Sequence, residues 1–334
     1  MSKEKDSPKI IFILGIMPRS GTHFLANLLC RHPDCGASVI PEDGLLGRAG
    51  HLTQYANHLV HVWKMNGDFE KVQYLSPKKL IWENLGRGLL DFLVKSKKIA
   101  LKKHAERFPD HPQKMPKYLV TKTPQVFNLN KFFKLFPEEK LLIIVRDGRA
   151  LVESINKSFN YPREEAIRDW ATAARRIFEF EDREKKNKDK YLIVKYENLH
   201  SNTESEMRKI LEFLELDINR YDFQKALDLP VVGSSTFKRG AGGVHWNPVR
   251  KTEKFNPLAR ADGWTRSQHE RFNWLAEDEA EKLGYETAKF DNEQILRKIR
   301  HKFYDFIWES NIWLKRFKRI PLFIKKRYKI YFGK

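Results

Sequence analysis

Short apolar runs alternate along this chain with stretches of helical spacing. Ile10-Ile11-Phe12-Ile13-Leu14 and Leu141-Leu142-Ile143-Ile144-Val145 are unbroken and rich in β-branched or aromatic residues. That pattern predicts strands buried on both faces. Tyr118-Leu119-Val120 and Tyr191-Leu192-Ile193-Val194 predict two more, and Cys35 to Ile40 holds a further one. After the first run, Phe24, Leu25, Leu28 and Leu29 recur at helical spacing in a segment opened by Ser20-Gly21-Thr22. Leu129, Phe132, Phe133 and Leu135 mark another helix, closing near Pro137, and Leu151, Ser154 and Ile155 lie on a third. Residues 51–115 are polar and mostly helical in pattern.

The joints between these elements carry the chemistry. Gly15 and Pro18 break the first strand, so strand, tight turn and helix follow in direct succession. Such a turn points backbone N–H groups and the positive end of the helix dipole at one spot. Arg19 adds a full charge and a fork of donors suited to phosphate or sulfate oxygens. A nucleotide P-loop would place Gly, Lys and Ser or Thr where Ser20, Gly21 and Thr22 stand. The phosphate-reaching lysine is missing, which disfavours kinase or NTPase chemistry. The strand ending at Val145 delivers Arg146-Asp147-Gly148-Arg149, and Ser154 follows on the next helix, a second anion site. Pro41-Glu42-Asp43-Gly44 ends the Cys35–Ile40 stretch. A carboxylate at a strand's carboxyl end faces the ligand crevice of an open α/β sheet, so Glu42 is a candidate general base, with an acidic turn as the alternative.

Charge sharpens the picture. The 334 residues carry a formal net charge of +20, which calls for an anionic partner such as a nucleotide, an acidic glycan, nucleic acid or a membrane. Lys95, Lys97, Lys98, Lys102, Lys103, Arg107, Lys114 and Lys117 form a basic strip, either a solvated face or an edge for an acidic acceptor. His51, His58 and His61 lie near one helix face but lack the companions of a metal site. Cys30 and Cys35 are the only cysteines, so reduced thiols in a cytoplasmic protein are expected. The N-terminus reads as neither signal peptide nor anchor.

Gly-x-x-Pro-Arg-Ser-Gly-Thr resembles the 5′-phosphosulfate loop of sulfotransferases that use 3′-phosphoadenosine-5′-phosphosulfate (PAPS). Leu-Leu-Ile-Ile-Val-Arg-Asp-Gly-Arg-Ala-x-x-x-Ser is similar to their 3′-phosphate site, closest to the tyrosylprotein branch and its bacterial relatives. The resemblance spans roughly residues 9 to 287 and explains the need for two anion sites, since PAPS has a phosphosulfate at one end and a phosphate on its ribose. It implies an α/β fold, a P-loop-like three-layer sandwich with a central parallel sheet, and a catalytic domain over 1–290. It implies that Arg19, Ser20, Gly21, Thr22, His23, Arg146, Ser154, Tyr196, Ser234 and Lys254 hold the nucleotide, with Ser235 and Trp264 in or after its closing loop. Lys122 matches a lysine near the transferring sulfuryl group, and Glu42 falls in the region of the tyrosylprotein branch's catalytic glutamate. His23 stands where many relatives have threonine, as a donor to the phosphosulfate or an alternative base. Ser158 stands where the tyrosylprotein branch has an arginine at the 3′-phosphate; Lys157 could take over that charge, but because of the substitution the resemblance does not imply a peptide tyrosine acceptor.

The implied reaction is in-line attack of an acceptor hydroxyl on the sulfur of PAPS, with Glu42 or His23 taking the proton and Arg19 and Lys122 stabilising charge. No metal is required. A glycan or lipid-linked saccharide would be an acceptor of the right kind; the rival readings are a small-molecule kinase and a non-catalytic nucleotide-binding protein that docks on membranes. The region 291–334 is a basic tail: from Ile295 to Lys334, 13 Lys or Arg stand against Asp305 and Glu309, a net of +11. Interleaved aromatics, among them Phe303, Phe306, Trp308, Trp313 and Phe317, suit a helix lying on an anionic leaflet, here the inner face of the membrane, rather than one merely packed on the domain. Pro321 would break that helix, and no nucleic-acid reader motif accompanies it.

Overall fold

The structure is a computed structural model describing residues 7–109, 113–230, 232, 256, 259–290, 295 and 297–314. Five strands carry it: β1 (Lys9–Gly15), β2 (Cys35–Ala37), β3 (Tyr118–Thr123), β4 (Lys140–Val145) and β5 (Tyr191–Lys195). All their pairings are parallel, in the order β2-β3-β1-β4-β5. The main helices are α1 (Thr22–Leu29), α2 (Ala49–Met65), α3 (Pro77–Arg107), α4 (Gly148–Phe159), α5 (Arg163–Arg183), α6 (Thr203–Phe213) and α7 (Arg266–Lys282). A last helix, α8, covers residues 297–314.

Alternation along β1 splits the core in two. Ile11 and Ile13 face Leu25, Leu28 and Leu29 of α1 and Met207, Ile210 and Leu211 of α6. Ile10, Phe12 and Leu14 face the other side, with Leu93 of α3, Leu151 of α4 and Trp170 and Ile177 of α5. The result is three layers, helix, sheet, helix, with every central strand buried on both faces.

Two elements differ from the sequence reading. The Cys35 strand ends at Ala37 rather than Ile40, because the chain turns to bring Asp43 back onto β3. The stretch after Asn128 is not one helix but a 3₁₀ turn, Leu129–Lys131, followed by the short helix Phe132–Leu135. Asn128, at φ 56°, starts that turn and donates to the Leu46 and Gly47 carbonyls. His51, His58 and His61 are exposed on α2. Among the described residues no cluster of His, Cys, Asp and Glu is placed to hold a metal ion.

Candidate active site

The two anion loops predicted from sequence form one site, because β1 and β4 are neighbours and both open at their carboxyl ends. The β1–α1 turn is shaped by two positive dihedrals, Arg19 at φ 76° and Gly21 at φ 106°. Glycine is demanded at 21: a Cβ there would stand 2.4 Å from the Tyr196 ring. Arginine at 19 pays backbone strain of about 1–3 kcal/mol, the kind of cost that clusters at ligand clamps. Gly21 caps α1 without a side-chain bond, so the first N–H groups of the helix have no capping side chain to serve.

Arg19 and Arg146 lock together. Arg146 donates to the Arg19 carbonyl at 2.9 Å, and its guanidinium lies over the Tyr196 ring, 4.4 Å from the centroid. Arg19 Nε reaches Ser154 Oγ at 3.5 Å. The end of β4 is pinned from behind, where the buried Trp170 indole donates to the Arg146 carbonyl at 3.1 Å. Glu197 accepts from the Asp147 backbone N–H at 2.9 Å and from the Tyr285 hydroxyl at 3.0 Å. Tyr196-Glu197 at the end of β5 therefore does two jobs: the ring supports Arg146, and the carboxylate holds the turn that carries it.

Arg260 joins this pair and was not singled out from sequence. It sits on the turn Ala259–Ala261, among 63 Lys and Arg, with no strand or helix pattern to mark it. Burial first, then Arg260 and Arg146, push the Arg19 guanidinium down to about 10. Burial and Arg146 push Arg260 down to about 10 as well. Three guanidiniums crowded away from water disfavour one another and favour an anion between them. Two buried hydroxyls, Ser20 Oγ and Ser158 Oγ, have no hydrogen-bond partner among the described residues. Each such orphan costs about 1–3 kcal/mol. The donors therefore fit a ligand with two anionic groups.

A second cluster of predicted residues lies one strand over, on β3. Lys122, 7% exposed, donates to the Pro41 carbonyl at 2.6 Å and lies 3.0 Å from His23 Nε2. Burial, Lys122 and Arg19 push the His23 imidazole down to about 4, so it is neutral near pH 7 and Nε2 accepts from the lysine. Burial also lowers Lys122, against the pull of Glu42 and Asp43. Glu42 is half-exposed, with Oε1 3.9 Å from Lys122 Nζ. Its neighbour Asp43 is the structural acid of this turn: it accepts from Thr121 at 2.8 Å, Thr123 at 3.0 Å and the Leu45 N–H at 2.9 Å. Asp43 thereby fixes Glu42 beside the lysine.

Glu153 is a second residue the sequence did not single out. Burial opposes its charge, but Arg163 at 2.9 Å and the Trp264 indole at 3.1 Å hold its carboxyl below the usual range. It ties α4 to the segment carrying Arg260 and Trp264. Lys157 bonds to Glu153 at 3.3 Å. Ser234, Ser235 and Lys254 lie outside the described residues.

A cavity of about 480 Å³ opens beside the loop, lined by Met17, Pro18, Phe127, Ile155, Phe159 and Arg176 among others. A larger one, about 1210 Å³, lies beside Pro137, Glu139 and Lys190, near the amino ends of β4 and β5, at the opposite end of the strands from this site.

The model of the sulfotransferase family matches residues 8–220, more than half the chain. A protein-tyrosine sulfotransferase of Drosophila melanogaster is 29% identical over 222 residues, 63% of this chain and 38% of that protein. Protein-tyrosine sulfotransferase 1 of Danio rerio is 32% identical over 222 residues, 64% of this chain and 55% of that protein. The chain thus spans about half or less of the length of these relatives. Among solved structures, the sulfotransferase domain of the Synechococcus olefin synthase aligns over 86% of this chain and 99% of its own, at 21% identity and a TM-score of 0.47.

Proposed function

This chain belongs to the sulfotransferase family, and from that premise we propose that it moves the sulfuryl group of PAPS to an acceptor hydroxyl. The convergence of Arg19, Arg146 and Arg260, with Ser154 Oγ 3.5 Å from Arg19 Nε, carries this reading. PAPS supplies an activated sulfur whose bond to the 5′-phosphate oxygen breaks as the acceptor oxygen bonds to it. Arg19 and the first N–H groups of α1 bind the phosphosulfate end. Arg146, Ser154 and Arg260 bind the ribose phosphate. Lys122 steadies the sulfuryl oxygens and the leaving phosphate oxygen, whose charge rises as the S–O bond lengthens.

Glu42 is the better base of the two candidates. The lone pair of His23 Nε2 is already engaged by Lys122, whereas Glu42 is half-exposed beside the same lysine. The acceptor hydroxyl would approach from the Met17–Pro18 side, where the 480 Å³ cavity has an apolar wall with Arg176 at its edge. That lining suits a hydroxyl on an amphipathic acceptor, such as a lipid-linked saccharide, better than a bare glycan. The curated relatives are named for protein tyrosine, and a tyrosine peptide belongs in the same screen.

The test is release of 3′,5′-adenosine bisphosphate from PAPS with a tyrosine peptide, a free glycan and a lipid-linked saccharide. At least one acceptor should raise release well above the rate with water alone. Lys122→Ala should cut kcat by about 100-fold or more while changing bisphosphate affinity less than about threefold. Full activity in that variant would overturn the assignment.

A further inference from the structure

Helix α8 is mounted with its charged side inward. Asp305 accepts from Arg271 at 2.7 Å and from the Trp274 indole at 2.7 Å, and it also pairs with Arg168. His301 stacks on Trp274, with ring centroids 5.3 Å apart, and its carbonyl accepts from Arg271. Arg297 and Arg300 pair with the buried Glu270, and Arg168 lies over the Trp308 ring. Positions 297, 301, 305, 308 and 312 recur at helical spacing and are all buried or half-buried. This is the face that meets α5 and α7.

The opposite face is apolar and turned to solvent. Ile299 is 59% exposed, Phe303 59%, Phe306 66%, Ile307 41% and Leu314 49%. At 100° per residue these positions cluster around the direction opposite His301. A soluble helix is expected to be built the other way round. Burying such a stripe is worth about 1.5–3 kcal/mol for each fully buried Phe, Leu or Ile side chain, so an exposed stripe of this length marks an interaction surface.

We propose that this outward face of α8 is a docking surface for an anionic lipid bilayer. Three observations favour lipid over protein. The helix lies along the domain surface, held by its polar side, which is the posture of an interfacial helix. Exposed Lys298 and Lys302 border the stripe. The sequence continuing from it, residues 315–334, carries nine Lys or Arg and no acid, interleaved with Phe, Ile, Leu and Tyr. Two copies pressed face to face would bring these like charges together, whereas a leaflet rich in acidic headgroups complements them. Because α5 carries both the latch residue Arg168 and the cavity residues Asp169, Thr172 and Arg176, docking would hold the acceptor cavity on the same helix as the membrane anchor.

Vesicle flotation of the full chain tests this. With phosphatidylcholine vesicles containing a third phosphatidylglycerol, recovery should exceed that with phosphatidylcholine alone at least tenfold. Phe303→Gln/Phe306→Gln/Ile307→Gln should cut it at least tenfold with an unchanged melting temperature, since all three side chains face solvent. Phe306→Gln alone, with a smaller loss, covers the case in which the triple variant misfolds. Parent-like flotation of these variants would show that residues 315–334 bind without the stripe, and would overturn the proposal. So would a dimer in gel filtration that the same substitutions dissolve, or no flotation of the parent.

Discussion

Arg19 concentrates the logic of the site in one residue. Its backbone sits at φ 76°, its carbonyl accepts from Arg146, and its half-buried side chain lies beside two other guanidiniums. The strained backbone and the crowding of like charges cost the ligand-free fold stability, and both would be offset by an anion. The same field acts on His23, whose imidazole is pushed down to about 4 by burial, Lys122 and Arg19. A histidine in an unfolded chain titrates near 6.5. Its depressed folded value means that stability is complete above about 6.5 and declines as pH falls toward about 4, because only the unfolded state takes up the proton in that window. Two-dimensional NMR of the histidine rings should show His23 titrating below pH 5 in the free protein, and moving up when 3′,5′-adenosine bisphosphate binds. A midpoint near 6.5 without ligand would remove the basis for a neutral His23 accepting from Lys122. At this scale the sequence was legible at the carboxyl ends of strands, as with Arg19 and Arg146 after theirs and Lys122 near the end of its own. Arg260 and Glu153 were illegible, because their meaning comes from what packs against them.

At the scale of elements, parallel pairing explains why distant turns converge. β1 lies between β3 and β4, so the turns bearing Arg19 and Arg146 and the last residues of β3, with Lys122, lie side by side at the carboxyl end of the sheet. The apolar runs made the strands readable, since a strand buried on both faces needs a continuous hydrophobic stretch. The shortened β2 was not readable, because the decision to leave the sheet at Ala37 is made by Asp43 bonding to Thr121 and Thr123 on another strand. The β4–α4 turn depends on a similar long-range bond. Glu197→Ala would leave the Asp147 N–H and the Tyr285 hydroxyl without their acceptor. Urea unfolding should show a loss of about 1–3 kcal/mol, with weaker bisphosphate binding as Arg146 loses its support. Unchanged stability would mean that water replaces the carboxylate and that the turn holds itself.

The whole molecule divides its charge between two tasks. Part of the +20 is gathered at one point around the buried Arg146 and the half-buried Arg19 and Arg260, and +11 of it lies in the last 40 residues. Screening separates the two: surface attraction fades with salt, while a buried, hydrogen-bonded anion site is affected less. The central claim concerns the arginine cluster. It is tested most directly by calorimetric titration of the full chain with 3′,5′-adenosine bisphosphate and with ATP, on the parent and on Arg146→Ala. The account predicts bisphosphate binding at least tenfold tighter than ATP binding, and a loss of about 1.5–3 kcal/mol in bisphosphate affinity, roughly ten- to a hundredfold, in the variant. A preference for ATP, or bisphosphate binding indifferent to Arg146, would contradict it.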